Sequence, residues 1–214
     1  MIAVLISIQI LFSGPFPVPT DTIQSVMVKS AIIFDESAHR DGGHRWLEYS
    51  SDIISVTHGS VFYVDVYIEL LASGAITTAQ NYILFTHRLS ACGVTVRNVI
   101  MLSPQCWGER EVAHEIVHLM GGVSPNAPHG YGRFGHCFDE YDALCYDDGS
   151  APVVIQHDCP QSNELLLDCN GDDYYNVNPP PDSWLAANPD ANRAYSEFLL
   201  VEHVGMVWLP IMQH

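Results

Sequence analysis

The chain has 214 residues, a length that fits one domain or one domain with an appended subdomain. Its hydrophobic content of 48% is enough for a substantial core. With 25 acidic against 8 basic residues the formal net charge is −17. A surface of this charge repels nucleic-acid phosphates and anionic membranes, so we expect no nucleic-acid partner.

The chain opens on an apolar run from Ile2 to Phe12, which Ser13-Gly14-Pro15 follow. The run is too short to span a bilayer, and it has the length of a signal-peptide core with small residues after it. We therefore expect residues 1–14 to be a signal peptide, with no stable membrane insertion and a secreted product. The alternative is a buried first strand. Prolines at 15, 17 and 19 favour an extended linker afterwards.

The next segments predict strands with one helix among them. The segments 26–34, 53–57 and 61–70 are apolar or β-rich, and the last shows partial alternation, so we predict three strands there. Residues 77–90 place Ile83, Leu84 and Leu89 on one side of a predicted helix. Val94 to Leu102 is typical of a buried strand.

Glu109 to Met120 carries apolar residues at helical spacing and predicts a helix. Glu109 and Glu111 lie at its start, where the helix dipole favours acidic side chains. Gly121-Gly122 is a helix stop signal.

This helix contains the motif H-E-x-x-H at His114, Glu115 and His118. Positions i and i+4 lie on one face of a helix, so both imidazoles can bind one zinc ion. The Glu between them can reach a zinc-bound water. The motif therefore indicates a metallopeptidase, and the alternative is a buried amphipathic helix with two hydrogen-bonded histidines.

From Gly121 to about Tyr175 the chain is rich in Gly, Pro, Asp and Cys, which predicts loops joined by disulfides. Six cysteines allow 15 pairings, and sequential pairing is the simplest. No C-x-x-C occurs, which disfavours a cysteine zinc site. The sequential pairs are Cys92–Cys106, Cys137–Cys145 and Cys159–Cys169. A Pro-rich break at 176–181 precedes a terminal helix or an irregular wrap at 184–200.

Acidic residues concentrate after the motif. We expect them to form a solvated acidic face, and the alternative is a calcium site, since calcium takes several oxygen ligands. The acidic residues are Asp139, Glu140, Asp142, Asp147, Asp148, Asp158, Asp168, Asp172 and Asp173.

The motif resembles that of the metzincin metallopeptidases, H-E-x-x-H-x-x-G-x-x-H followed by a methionine-containing turn. His114, Glu115, His118 and Gly121 match, and Ser124 stands where that pattern has its third His. Over residues 94–200 the chain is similar to secreted bacterial zinc-metallopeptidase-like proteins. The phrases that carry this similarity are Gly121-Gly122-Val123 with Ala127-Pro128-His129, Gly135-His136-Cys137-Phe138-Asp139-Glu140 through Tyr146, and Asp168-Cys169-Asn170-Gly171-Asp172-Asp173 through Pro180.

The resemblance implies an α/β (α+β) fold with a small twisted mixed sheet, an active-site helix in a subdomain 15–122, and a loop-rich subdomain 123–214. It implies that His129 is the third zinc ligand beside His114 and His118, with His136 as the alternative. Leu144 stands where the family has Met, and Tyr146 stands where some metzincins carry a Tyr that approaches the zinc or the oxyanion.

The sequence therefore predicts a secreted zinc endopeptidase that acts on protein or peptide substrates through a zinc-activated water, with Glu115 as general base and Tyr146 as a second catalytic residue. One alternative is an inactive metal-binding interaction protein on the same scaffold, which Ser124 and Leu144 motivate. Another is a zinc hydrolase that does not act on peptides.

Overall fold

The computed structural model describes residues 7–139 and 141–201. These residues form a mixed α/β structure with four α-helices, a five-stranded sheet and two small two-stranded sheets. The elements in chain order are β1 (Ile8–Ser13), α1 (Thr20–Arg40), β2 (Trp46–Leu47), β3 (Tyr49–Ser55), α2 (Tyr63–Ala72), β4 (Asn81–Thr86), β5 (Gly93–Val96), β6 (Val99–Leu102), α3 (Glu109–Leu119), β7 (Gly130–Tyr131), β8 (His136–Cys137), α4 (Trp184–Ala187) and β9 (Leu199–Leu200). Short 3₁₀ turns lie at Pro104–Cys106, Gln161–Asn163, Pro189–Ala191 and Arg193–Tyr195.

The large sheet has the strand order β3-β1-β4-β6-β5. The first four strands run parallel, and β5 pairs antiparallel with β6 at the edge. Strands β1, β4 and β6 are almost entirely buried, as expected for parallel strands covered on both faces. Their sequences are almost continuously apolar because both faces of these strands are buried.

Helices cover both faces of this sheet. Side chains along each strand alternate between the two faces, so each face has its own apolar core. Phe12 and Ile83 belong to the larger core with Met27 of α1 and Ile116 of α3. On the other face, Leu11 and neighbouring strand residues pack with α2 in a second core. The α3 helix is therefore held against the sheet by its own apolar face.

Three predicted elements have the opposite secondary structure. Segment 26–34 lies in helix α1, residues 63–70 of segment 61–70 lie in helix α2, and segment 77–90 contains strand β4. In α1 the buried side chains recur at helical spacing, at Ile23, Met27, Ser30 and Phe34. Packing of this stripe overrides the weak strand propensity of the β-branched residues. In β4, the centre of the sheet buries both faces, so no alternation was visible in the sequence.

The described part of the predicted signal peptide is a structural strand. Ile8–Ser13 lies between β3 and β4 and is hydrogen-bonded to both. The alternative interpretation, a buried first strand, therefore describes residues 8–13, and the predicted removal of residues 1–14 would take away this inner strand. Residues 1–6, which belong to the same prediction, lie outside the described residues.

After α3 the described chain is loop-rich, as predicted, and α4 is a helix of four residues. All three predicted disulfides are confirmed. Predicted strand 53–57 overlaps β3, and predicted strand 94–102 is the β5–β6 pair, which turns at Arg97 with a positive φ. None of the helices in the described ranges is long and apolar enough to cross a membrane.

The assignment of α2 makes a testable stability prediction. Leu70 is fully buried, whereas Ile68, which a strand would place on the face of Val66, is 57% exposed. Leu70→Ala is expected to lower the free energy of unfolding by about 2–5 kcal/mol, and Ile68→Ala by less than about 0.5 kcal/mol. Urea denaturation of both variants measures this, and equal losses would contradict the helical packing.

Candidate metal centre

Helix α3 presents its two histidines on one side while its apolar side is buried. Val112, Ala113, Ile116 and Val117 face the core, which fixes the rotation of the helix. Nε2 of His114 and Nε2 of His118 lie 2.9 Å apart. The helix therefore brings together two of the predicted ligands, as the i, i+4 spacing requires.

Two glycines reverse the chain directly after α3. Gly121 and Gly122 have φ angles of +116° and +64°, a region that favours glycine. A Cβ on Gly122 would lie 3.1 Å from both Nδ1 of His118 and the carbonyl oxygen of Gly135. The backbone N–H of Val123 then donates to that carbonyl oxygen at 2.9 Å. The reversal thus holds the segment around residue 135 against the end of α3.

The β7–β8 hairpin places a third histidine at the centre. Nε2 of His136, the first residue of β8, lies 3.0 Å from Nε2 of His118. The ligand atoms of His114, His118 and His136 all lie within 4.8 Å of one another. Two imidazole nitrogens on a tetrahedral zinc ion, with bonds of about 2.0–2.1 Å, lie roughly 3.3 Å apart. The three side chains therefore fit one metal ion of this kind.

The other ring nitrogens of two histidines are held by acceptors. Nδ1 of His114 donates to the carbonyl oxygen of Ala143 at 2.9 Å, and Nδ1 of His136 lies 2.6 Å from a carboxylate oxygen of Asp148. A carbonyl oxygen can only accept, so the proton of His114 is on Nδ1 and the lone pair of Nε2 faces the centre. Outer partners of this kind orient metal-binding histidines.

All three imidazoles are neutral at pH 7. Burial lowers the pKa of His114 to about 4 and that of His118 to about 2, and it also lowers the pKa of His136. Metal ligation requires neutral imidazole. Converging nitrogen lone pairs repel one another, so a cation between them stabilises the arrangement.

Glu115 is buried beside the cleft. Its Oε2 accepts a hydrogen bond from the Thr95 hydroxyl of β5 at 2.7 Å. A Cβ on Gly93 would lie 2.7 Å from Oε1, so the backbone of β5 approaches this carboxyl closely. Burial raises the pKa of Glu115 to about 7. A pKa near the working pH is the property that a general base needs.

Tyr146 reaches the histidines from the loop after β8. Its hydroxyl lies 3.2 Å from Nε2 of His136, and its ring lies near that of His114. Burial raises the pKa of Tyr146 to about 12, so its hydroxyl stays protonated at neutral pH. The phenol can therefore donate a hydrogen bond at the centre.

A cleft of about 570 Å³ opens beside these residues. The three histidines, Glu115 and Tyr146 line this cleft. Gly93, Val94 and Thr95 of β5 also line it, together with Arg97, Arg133 and Phe134.

His129, the predicted third ligand, does not join this group. Its backbone N–H donates to one oxygen of Asp173 at 2.8 Å, and its Nδ1 lies 2.9 Å from the other. Both ends of the residue are thus held by one carboxylate from a distant loop. In the structure His136, the alternative that the sequence left open, lies with His114 and His118, and His129 does not.

The expected solvated acidic face is also wrong for four residues. The side chains of Asp139, Asp142, Asp168 and Asp173 are almost completely buried. Asp168 accepts hydrogen bonds from four backbone N–H groups, of residues 172, 173, 174 and 175. Asp142 accepts from the backbone N–H groups of Leu144 and Cys169 and from the Tyr174 hydroxyl.

Asp142 shapes the turn beneath His114. Its carboxylate accepts a hydrogen bond from the backbone N–H of Leu144. This bond sets the position of the neighbouring Ala143 carbonyl oxygen, which accepts from His114. Leu144, which stands where the resembled family has Met, is fully buried.

Sequence reasoning missed the roles of Asp148 and Thr95. Asp148 follows His136 closely enough in the sequence for the loop after β8 to bring the two side chains together. This short spacing is only a weak signal. Thr95 carries no signal, because its contact with Glu115 depends on how β5 lies against α3.

No protein-family model and no curated protein sequence matches this chain. The candidate centre therefore rests on its own geometry.

Asp148 provides a test of the centre. Asp148→Asn weakens the acceptor of His136 and is expected to lower zinc affinity about 10–100-fold. Competition against a chromogenic chelator measures this affinity, with exposed Asp158→Asn as the matched control. Equal affinity in both variants would show that Asp148 does not support a metal ligand.

The pKa of Glu115 predicts a pH dependence of stability. The folded pKa of about 7 lies above the ordinary value of 4.5, so the folded state retains the proton longer. Stability from this group is complete below pH 4.5 and is lost as the pH rises to about 7, by an amount on the order of 3 kcal/mol. In metal-free protein, Glu115→Gln is therefore expected to become more stable than wild type as pH rises.

Urea denaturation at about pH 4.5 and about pH 8 measures this difference. Exposed Glu164→Gln is the control, for which the difference from wild type stays constant. A constant difference for Glu115→Gln as well would refute the raised pKa.

Proposed function

We propose that this protein is a zinc-dependent endopeptidase that hydrolyses peptide bonds in protein or peptide substrates. The observation that carries the proposal is the convergence of His114, His118 and His136 beside buried Glu115 in an open cleft. Three protein ligands and one open position are typical of catalytic zinc.

The chemistry follows from the side chains of the cleft. His114, His118 and His136 would hold a zinc ion, which would supply a Lewis acid that acidifies water and polarises a carbonyl group. Glu115, with its pKa near 7, accepts the proton of the attacking water at neutral pH and passes it to the departing amine. The protonated Tyr146 hydroxyl donates a hydrogen bond to the negative charge that develops on the carbonyl oxygen.

Strand β5 supports a peptide as the substrate. It is the edge of the large sheet, and Gly93, Val94 and Thr95 line the cleft. An exposed strand edge binds an extended peptide through main-chain hydrogen bonds. A peptide bound in this way would lie beside Glu115, because Thr95 contacts its carboxylate.

The disulfides support an extracellular setting. All six cysteines are paired, and disulfides persist in oxidising compartments. We therefore propose that the protein acts outside the cytosol, as a secreted enzyme.

Glu115→Gln tests the mechanism. The variant is expected to retain its zinc, since Glu115 is not among the ligands, and to lose hydrolysis by at least about 10²-fold, because the general base is removed. Cleavage of casein or gelatin, with metal content measured on the same preparation, checks both properties. Exposed Glu164→Gln is the matched control and is expected to cleave like wild type.

Two outcomes would overturn parts of the proposal. Hydrolysis retained in Glu115→Gln would contradict the role of Glu115 as general base. Zinc in the wild-type protein without hydrolysis of any protein substrate would favour the alternative, an inactive metal-binding interaction protein.

A further inference from the structure

A second group of potential metal ligands surrounds His129, the residue that the first centre does not use. The ligand atoms of His129, Asp139 and Asp173 lie within 4.8 Å of one another. From Nδ1 of His129, the carboxylate oxygens of Asp173, Asp172 and Asp139 lie at 2.9, 3.7 and 3.9 Å. Three side chains from two separate loops therefore face one small volume, and Asp172 approaches the imidazole beside them.

The charge of this group is unbalanced. The side chains of Asp139 and Asp173 are each 1% exposed. Buried carboxylates are costly unless they are paired or bind a cation. Even a protonated His129 would carry one positive charge against the three carboxylates around it.

Among the described residues, Asp139 has few donors besides its own backbone N–H. Its Oδ1 faces Sγ of Cys145 at 2.9 Å, and its Oδ2 faces Sγ of Cys159 at 3.6 Å. Both sulfurs are in disulfides and carry no proton. The side-chain amide of Asn170 lies 3.4 Å from Oδ2, longer than the usual range of about 2.7–3.2 Å. This carboxylate is therefore buried, poorly satisfied and directed into the group.

Asp172 adds a second carboxylate oxygen that is buried and short of hydrogen-bond donors. Its Oδ1 is buried without a hydrogen-bond partner among the described residues, although the side chain as a whole is 36% exposed. The unpaired oxygen faces His129, and the exposed part leaves a path from solvent.

The neighbouring buried aspartates have their hydrogen-bond donors, so the shortage of donors is confined to the group around His129. Asp142 and Asp168 lie in the same loops, and backbone N–H groups occupy their oxygens. These two carboxylates organise the loops. Within the described ranges, no backbone N–H of another residue donates to Asp139, and Oδ1 of Asp172 has no partner, so both carboxylates are available to a cation.

We propose that His129, Asp139 and Asp173, with Asp172 beside the imidazole, bind a second divalent transition-metal ion, for which zinc fits the distances from His129. Ligand atoms on a tetrahedral zinc ion lie roughly 3.3 Å apart, and the separations from His129 span 2.9–3.9 Å. An imidazole ligand favours such an ion over calcium, which prefers oxygen ligands alone.

The second ion would connect the loops that build the first centre. His129 and Asp139 flank the β7–β8 hairpin that carries His136, and Asp172 and Asp173 belong to the loop that Asp168 organises. Its role is structural, and it does not depend on the peptidase activity.

Zinc content after equilibration with excess Zn²⁺ and desalting tests the proposal. Wild type is expected to hold two zinc ions per chain and His136→Ala one. Adding Asp172→Asn to His136→Ala is expected to remove the remaining ion or to weaken its binding at least 10-fold. Asp172 is suitable because it is partly exposed and its buried oxygen makes no hydrogen bond with any residue that the structure describes. Exposed Asp182→Asn is the matched control.

If His136→Ala does not fold, Asp172→Asn alone is expected to lower the content from two ions to one. A single zinc ion in wild type that His136→Ala removes, or a second ion unaffected by Asp172→Asn and Asp139→Asn, would overturn the proposal. Calcium retained there in the presence of competing Zn²⁺ would overturn the assignment to a transition metal. These counts do not depend on hydrolysis, so an inactive protein would leave this inference standing.

Discussion

The candidate centre depends on the reversal of the chain at the end of α3. Gly121 and Gly122 adopt positive φ angles, and the N–H of Val123 then donates to the carbonyl oxygen of Gly135. This hydrogen bond joins the end of the helix to the start of β8, so His136 reaches His118. A side chain at Gly122 would meet both partners of the turn. Without this reversal, the helix would offer two nitrogens to a metal ion, and a catalytic zinc usually has three protein ligands.

Buried carboxylates take the place of regular secondary structure in the second half of the chain. Asp168 satisfies four consecutive N–H groups, and Asp142 joins three segments through Leu144, Cys169 and Tyr174. Loops have few ladder hydrogen bonds, so buried N–H groups need side-chain acceptors. The three disulfides add covalent closure to the same region. The acidity that suggested a solvated face is thus partly internal. Asp148 supports His136 at the first candidate site, and Asp139 and Asp173 are proposed ligands at the second.

The sheet and helices were predicted unevenly, and the reason is physical. Helix α3 was predicted within one residue, because its apolar spacing and its glycine stop are local signals. Helices α1 and α2 were mistaken for strands, because β-branched residues on their buried faces imitate strand composition. Strand β4 was mistaken for a helix, because a strand buried on both faces has no alternation to recognise.

The sequence by itself determined that His114, Glu115 and His118 share one helix, since i, i+4 geometry needs no tertiary information. It also suggested the disulfide pairs, because neighbouring cysteines close the shortest loops. Only the tertiary structure decided between His129 and His136 as the third candidate ligand. His136 lies in the β7–β8 hairpin and His129 directly precedes it, and their different partners, Asp148 and Asp173, come from other parts of the chain. The folding of those loops is cooperative, so no local pattern could reveal which histidine each carboxylate would hold.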